Sequence, residues 1–242
     1  MNEIPRHALK LLVTAGPTRE EIDPVRFISN YSTGKMGYEI AREAAGRAHS
    51  VVLASGPSCL GKPQGRVKTI FVESCNDMRK AVLKELKSCD ALIMAAAVCD
   101  FRPAAAARRK IKKGQGSRVK VQGRRVLLEL VENPDILLEA YKRKGRRILA
   151  GFALETEALD ANARKKLKDK GLDFIVANRV TKERGVFGGG RSDYLIIDRS
   201  GKKVKYRRHS KKELARRIID KVESLCYSTN IRQGQSPAKG RG

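Results

Sequence analysis

The sequence predicts an α/β protein built on a mostly parallel sheet, and three observations carry that expectation. Short apolar runs alternate with helix-like segments through most of the 242 residues. Several of those runs are apolar without interruption, as expected of strands covered on both faces. The first run empties through a polar, glycine-containing loop into a helix-like stretch. Alternation of this kind argues for parallel strands joined by crossover helices. An apolar fraction of 41% suffices for a core in one domain of this length.

Taken in order, the expected strands are Leu11 to Ala15, Val51 to Ser55, Thr69 to Val72, Ala91 to Val98, Ile148 to Leu154 and Phe174 to Ala177. The expected helices are Gly37 to Ala48, Asn76 to Ser88, Pro134 to Lys144, Leu159 to Lys170, and a last one near Lys211 to Ser224. Asn76, with Asp77 after it, is a reasonable N-cap; Asn133 before Pro134 is a better one, because proline is favoured in a first helical turn. Residues 119 to 131 alternate around a glycine-containing turn and predict an antiparallel hairpin. A second hairpin is expected from Tyr194 to Asp198 and Val204 to Arg208, joined through Ser200-Gly201. The whole is a Rossmann-like, mostly parallel sheet with flanking helices plus antiparallel hairpins. One domain over residues 1–226 is expected; residues 227–242, rich in Ser, Gln, Gly, Pro, Lys and Arg, are expected to form a disordered basic tail.

Composition narrows the function. No run approaches the 18 apolar residues of a membrane span, and Met1 to Lys10 lacks the apolar block of a signal peptide, so a soluble cytoplasmic protein without membrane contact is expected. The five cysteines are odd in number and form no Cys-x-x-Cys pair, which suggests neither a disulfide framework nor a zinc site. They read as reduced thiols, mostly packing. The formal charge of +26 is extreme. It fits either an affinity for polyanions such as nucleic acid or a solvated basic surface, and a small-molecule site needs only a handful of cations.

Residues 26–37, Arg-Phe-Ile-Ser-Asn-Tyr-Ser-Thr-Gly-Lys-Met-Gly, form the most informative stretch. They lead from the first strand to a helix N-terminus, where free N–H groups suit an anion. The loop lacks the G-x-G-x-x-G spacing of a dinucleotide turn, and Met36 stands where a P-loop requires Ser or Thr. It remains a ligand loop with small hydroxyls, two glycines and flanking Arg26 and Lys35, at the carboxyl end of the first strand.

Further candidates follow. Ala95-Ala96-Ala97-Val98-Cys99-Asp100 ends the fourth strand; small residues allow close approach to the backbone, and Asp100 offers an acceptor, although an ordinary tight strand end reads the same way. Residues 101 to 128 hold ten Lys or Arg and no Asp or Glu, including Lys110-Ile111-Lys112-Lys113. Such a stretch either floats as a charged loop or settles over a triphosphate. Asn133-Pro134-Asp135-Ile136 opens a helix that could receive a phosphate oxygen, and Lys166 and Lys170 share one helical face at i and i+4. The three histidines lie away from these clusters, and no Ser/His/Asp or metal pattern stands out. Charge stabilisation and positioning, as in nucleotidyl transfer to an acid, therefore fit better than covalent catalysis.

Together, Gly16-Pro17-Thr18-Arg19-Glu20, Asp23 to Asn30, Ser32-Thr33-Gly34-Lys35-Met36-Gly37, Ala95 to Val98, Lys110 to Lys113, Asn133 to Ile136, Gly151 to Thr156 and Val176-Ala177-Asn178 resemble the phosphopantothenoylcysteine synthetase family. The resemblance runs in order from about residue 9 to about 226. It implies a ligase of coenzyme A biosynthesis that joins 4'-phosphopantothenate to L-cysteine, CTP-dependent with ATP as the alternative, through an acyl-cytidylate, with magnesium on the nucleotide and a homodimeric assembly. Bifunctional bacterial members fuse this half to a flavin-dependent decarboxylase, so no flavin site is expected in this chain.

The resemblance also implies roles. Asn30 would hold the acyl-nucleotide intermediate and, with Lys110, carry catalysis. Arg26, Asn30, Ala96 and Ala97 would contact phosphopantothenate, Arg26 often across the dimer. The nucleotide would be bound by Met94, Ala95, Ala96, Asp100, Lys110, Pro134, Asp135, Ile136, Leu137, Phe152, Lys166 and Lys170, with Asn133 at the frame; metal ligands are not implied. Thr33 stands where Ser is usual in the family, Arg109 where an acidic residue often precedes Lys110, and residues 187–193 form an altered version of a loop that usually carries Asn. Two other classes compete: a basic nucleic-acid-binding protein on the same scaffold, and a nicotinamide oxidoreductase, which lacks its glycine fingerprint here.

Overall fold

The computed structural model describes residues 7–112, 120–122, 125–155, 157–179 and 190–234. In chain order the elements are β1 (Lys10–Ala15), β2 (Arg19–Asp23), β3 (Arg26–Ser29), α1 (Lys35–Gly46), β4 (Ser50–Ser55), β5 (Val67–Phe71) and α2 (Cys75–Glu85). There follow β6 (Ala91–Met94), β7 (Phe101–Pro103), β8 (Lys120–Gln122), β9 (Arg125–Leu127), β10 (Leu130–Glu132) and α3 (Ile136–Tyr141). The chain closes with β11 (Ile148–Glu155), α4 (Leu159–Asp169), β12 (Phe174–Arg179), β13 (Ser192–Asp198), β14 (Lys203–His209) and α5 (Lys211–Gly234).

Eight strands form one sheet in the order β14-β13-β12-β11-β6-β1-β4-β5. The six from β12 to β5 run parallel, and β13 and β14 add an antiparallel edge. Side chains alternate across the pleat. Leu11, Val13 and Ile93 therefore face one layer, with Tyr38 and Ile40 of α1 and Leu214 and Ile218 of α5, while Leu12, Leu92 and Leu149 face the other, with Met78 of α2, Ile136 of α3 and Leu167 of α4. Both faces are covered, which explains the unbroken apolar runs; each such buried Leu or Ile contributes about 1.5–3 kcal/mol relative to exposure. Among the described residues, no helix is long and apolar enough to cross a membrane.

Several boundaries differ from the sequence expectation, each for a local reason. The strand expected over 91–98 ends at Met94. Beyond it the chain bonds to the turn after β1, with the Ala96 N–H donating to Thr14 Oγ1 at 3.1 Å and the Ala97 N–H to the Gly16 carbonyl at 2.9 Å. Ser74, not Asn76, caps α2, in a reciprocal capping box with Asp77. Asp135, not Asn133, caps α3 and accepts from the Leu138 N–H, which shortens that helix at its start. Within 119–131 only β8 and β9 form the hairpin, since β10 pairs antiparallel with β7. The last helix, expected to close near Ser224, continues to Gly234, so the start of the expected tail is helical; residues 235–242 lie outside the described residues. The loop expected from residue 26 onward begins as strand β3, paired with β2 in an antiparallel hairpin.

Candidate active site

The central strands β1, β6 and β11 lie side by side, and their carboxyl ends carry the segments expected to bind ligand. A cavity of about 460 Å³ opens there between the stretch after β6, the approach to α3, and α4. Met94, Ala96, Asp100, Pro134, Asp135, Ile136, Leu137, Phe152, Lys166 and Lys170 all line it, joined by Asn133. Residues separated by up to 76 positions in the chain thus converge on one pocket. Ala95 does not line it: the period-2 alternation turns its side chain to the α1–α5 face, where it packs against that core layer. Lys110 does not line it either.

Asn133 holds the wall rather than the helix. Its Nδ2 donates to the Cys99 carbonyl at 2.9 Å and its backbone N–H to the Asp100 carbonyl at 2.8 Å, while Arg102 donates to its Oδ1 at 3.1 Å. The Asp135 carboxylate then receives two donors, the Leu138 N–H at 2.9 Å and the Lys170 ammonium. Burial works against charge on Asp135, but those bonds outweigh it and hold its pKa below the ordinary value. Lys166 is half-buried and makes no ion pair or hydrogen bond among the described residues. Burial lowers its pKa, opposed by the fields of Glu155, Asp100 and Asp135. The pocket therefore combines apolar surface from Ile136, Leu137 and Phe152 with the cations of Lys166 and Lys170 and the carboxylates of Asp100, Glu132 and Asp135, so it offers a ligand charged groups of both signs.

Asn30 stands behind the same wall. It is exposed, and its Nδ2 donates to the Ala97 carbonyl at 2.9 Å, between cavity-lining Ala96 and Val98. Ala97 contributes through that backbone oxygen, which the Thr18 N–H also approaches at 3.3 Å. Arg26 turns within its own chain to Asp23 and to the Ile111 carbonyl at 2.8 Å. Lys110 is exposed one residue before that contact; Lys113 and Thr156 lie outside the described residues, as do residues 187–189.

The glycines of the first loop serve close packing. Gly34 has φ of 80°, which L side chains rarely adopt, and caps α1 without a side-chain bond. A Cβ on Gly37 would meet Ala15 Cβ at 2.5 Å, so α1 rests directly on the end of β1. The α1 N-terminus consequently lies at the strand ends, with Ser32 Oγ accepting from the Gly34 N–H at 3.2 Å.

Val98, Cys99 and Phe101, to which the sequence gives no role beyond their place in the cluster after the fourth strand, and Glu132, which it does not mark, also line the cavity. Cys99 reads as a packing thiol in the sequence; its signal was only its place between Ala97 and Asp100. Burial raises its pKa, and burial with the Glu20 carboxylate pushes Cys75 up to about 12, so neither thiol is activated as a nucleophile. Among the described residues, no three His, Cys, Asp or Glu side chains group to hold a metal ion.

Comparison with known proteins agrees with this architecture. A curated relative, the coenzyme A biosynthesis bifunctional protein CoaBC of Bacillus subtilis, is 40% identical over 228 residues, covering 94% of this chain and 54% of its own. The chain spans about half the length of the curated relatives it matches. The crystal structure of the C-terminal domain of a CoaBC protein superimposes with a TM-score of 0.75 at 35% identity, covering 91% of this chain and 96% of that one. A Cab2 mutant, in a complex with phosphopantothenate-cysteine, shares the fold with a TM-score of 0.75 at 16% identity, covering 94% of this chain and 89% of its own. The model of the DNA/pantothenate metabolism flavoprotein C-terminal domain matches residues 7–225, and the chain belongs to that family.

Proposed function

We propose that this chain is a phosphopantothenate–cysteine ligase using CTP. The observation that carries the reading is the convergence of ten expected nucleotide residues on one cavity at the carboxyl ends of the central strands. The family membership and the similarity to the CoaBC C-terminal domain support it. In the proposed reaction a carboxylate oxygen of 4'-phosphopantothenate attacks the α-phosphorus of CTP, the bond to pyrophosphate breaks, and an acyl-cytidylate forms. The amine of L-cysteine then attacks the acyl carbon, loses a proton, and CMP leaves.

Each residue has a physical task in this scheme. Phe152 and Ile136 offer apolar surface to the base, and Asp100 an acceptor for its exocyclic amine. Lys166 and Lys170, with Lys110 from the adjoining loop, neutralise charge that builds on the phosphates. Asn30 is to hold the acyl oxygen of the intermediate by its amide, with Ala97 beside it. Magnesium would be carried mainly by triphosphate oxygens; bound there, it would neutralise phosphate charge. A homodimer is part of the proposal. Val25 and Phe27 of the β2–β3 hairpin, Tyr31 after it and Phe101 of β7 are large side chains left exposed, as a partner surface requires.

The test is direct. Purified protein with phosphopantothenate, cysteine, CTP and magnesium is expected to release CMP and pyrophosphate in step with product, and competition among CTP, ATP, UTP and GTP should favour CTP. No release with any nucleotide would overturn the activity, and preference for ATP would overturn the base assignment.

A second reading has its own observation. Residues 199–212 hold eight Lys or Arg and no Asp or Glu. They place Lys205 and Arg207 exposed on β14, the outermost strand of the sheet. Lysines on an edge also discourage strand pairing, but the strip suits a nucleic-acid backbone. Duplex DNA binding that falls steeply with salt in the wild type and is lost in a Lys205→Glu, Arg207→Glu variant would support it; equal binding by both would remove it.

A further inference from the structure

Both backbone groups of Ile111, the residue after Lys110, are held by one ion pair from the β2–β3 hairpin. Its N–H donates to Asp23 Oδ2 at 3.1 Å, and its carbonyl accepts from Arg26 Nη2 at 2.8 Å. The same Asp23 oxygen accepts from Arg26 Nε at 3.0 Å, so the guanidinium fork bridges the carboxylate and the loop carbonyl. Asp23 Oδ1 is filled by the Val25 and Arg26 N–H groups, each at 2.9 Å. Asp23 is buried, its side chain fully so, and both carboxylate oxygens are engaged. Upstream, the Ala107 N–H donates to the Ile22 carbonyl at 2.9 Å, so the loop is laid along the hairpin before it is pinned.

Residues 104–112 contain no helix or strand and carry Arg108, Arg109, Lys110 and Lys112, whose mutual repulsion would spread the loop. A buried carboxylate with three backbone donors and an arginine fork fixes one backbone conformation against that repulsion. The Arg26 bond to Asp23 lowers the carboxyl's pKa well below the ordinary range, opposed by burial, so the ion pair stays charged at physiological pH.

We infer that Asp23 and Arg26 are a positioning pair that presents Lys110 to the reacting phosphates from within the same chain. The inference rests on the ligase reading for the identity of the phosphates, and on the geometry alone for the clamp. It gives Arg26 a task within its own protomer, in addition to contact with the phosphopantothenate moiety.

The test uses the full chain with Asp23→Asn and Arg26→Gln. Asn keeps the volume but turns an amide donor toward the Ile111 N–H; Gln removes the fork while leaving the backbone donors to Asp23. Hydrogen exchange at the Ile111 amide is expected to quicken about tenfold or more in both variants, with β1 amides unchanged, and kcat to fall about tenfold or more with a smaller change in nucleotide KM, because misplacement by an ångström weakens transition-state contacts. Arg26→Lys, a cation without a fork, should fall between wild type and Arg26→Gln. Unchanged exchange at Ile111 would overturn the clamp. Faster exchange with wild-type kcat would overturn its link to Lys110. Should Asp23→Asn fail to fold, exchange at the Ile111 amide in Arg26→Gln decides the clamp, and a wild-type kcat in that variant would overturn its link to Lys110. A wild-type protein without ligase activity would sink the ligase reading, while the exchange measurement still decides the clamp.

Discussion

The Lys170 ammonium lies on the Asp135 carboxylate, joining the C-terminal end of α4 to the N-cap of α3 across the cavity. One carboxylate thus caps a helix and fixes a cavity-lining cation. Asp135→Asn should preserve the cap and loosen Lys170, whereas Asp135→Ala should lose both. The Ala variant is expected to lose about 1 kcal/mol more for the missing cap, or roughly 2–4 °C in melting temperature for a chain of this size. Calorimetry on the two variants separates the effects, and equal melting temperatures would show that the cap contributes nothing.

Lys166 makes no ion pair or hydrogen bond among the described residues, and burial lowers its pKa. The folded state therefore disfavours its proton, a penalty present below the folded pKa and relieved as pH rises toward the ordinary lysine value. A triphosphate would restore the proton's advantage. Lys166→Gln should leave stability unchanged or raised and weaken nucleotide binding about 10- to 100-fold. Titration calorimetry in buffers of different ionisation enthalpy should show proton uptake on binding at alkaline pH in the wild type only.

Asn30 and Lys110 provide the sharpest test of the chemistry. Asn30→Asp places a carboxylate oxygen against the Ala97 carbonyl, where an amide donor stood, and removes the donor meant for the acyl oxygen. Product formation should fall about 100-fold or more, with circular dichroism unchanged because Asn30 is exposed. Lys110→Gln should lower turnover similarly. Wild-type rates in both would place the catalytic groups elsewhere.

Glu213 opens α5 in a reciprocal bond with Ser210: the Ser210 N–H donates to its carboxylate at 2.7 Å, and the Glu213 N–H to Ser210 Oγ at 3.2 Å. The backbone bond, with the hydroxyl bond after it, lowers its pKa from 4.5 to about 2. A depressed carboxyl stabilises the fold above its unfolded pKa and loses that contribution as pH falls through the folded one. Stability should decline between about pH 4.5 and 2, and Glu213→Gln should show a shallower decline there in acid titrations followed by circular dichroism.

What could be read from the chain follows from short-range physics. The apolar runs and their alternation placed six parallel strands to within a few residues, because burial on both faces demands continuous apolar sequence. Lys166 and Lys170 could be assigned to one helical face by spacing, yet only tertiary packing put that face on the cavity. The caps were misplaced for a related reason. Asn133 and Asn76 have good capping chemistry, but Asn133 is drawn to the Cys99 carbonyl 34 residues away, and Ser74 has the better partner in Asp77.

By itself, then, the sequence determined the parallel α/β sheet, the motifs that place the chain in its family and the candidate residues, since these depend on local pattern and residue chemistry. Tertiary structure alone decided that Ala95 turns away from the cavity, that Arg26 grips Asp23 and the Ile111 carbonyl, and that Lys166 faces the cavity without a hydrogen-bond or ion-pair partner among the described residues. Those outcomes depend on which distant groups compete for each donor and acceptor, and a linear chain does not display that competition.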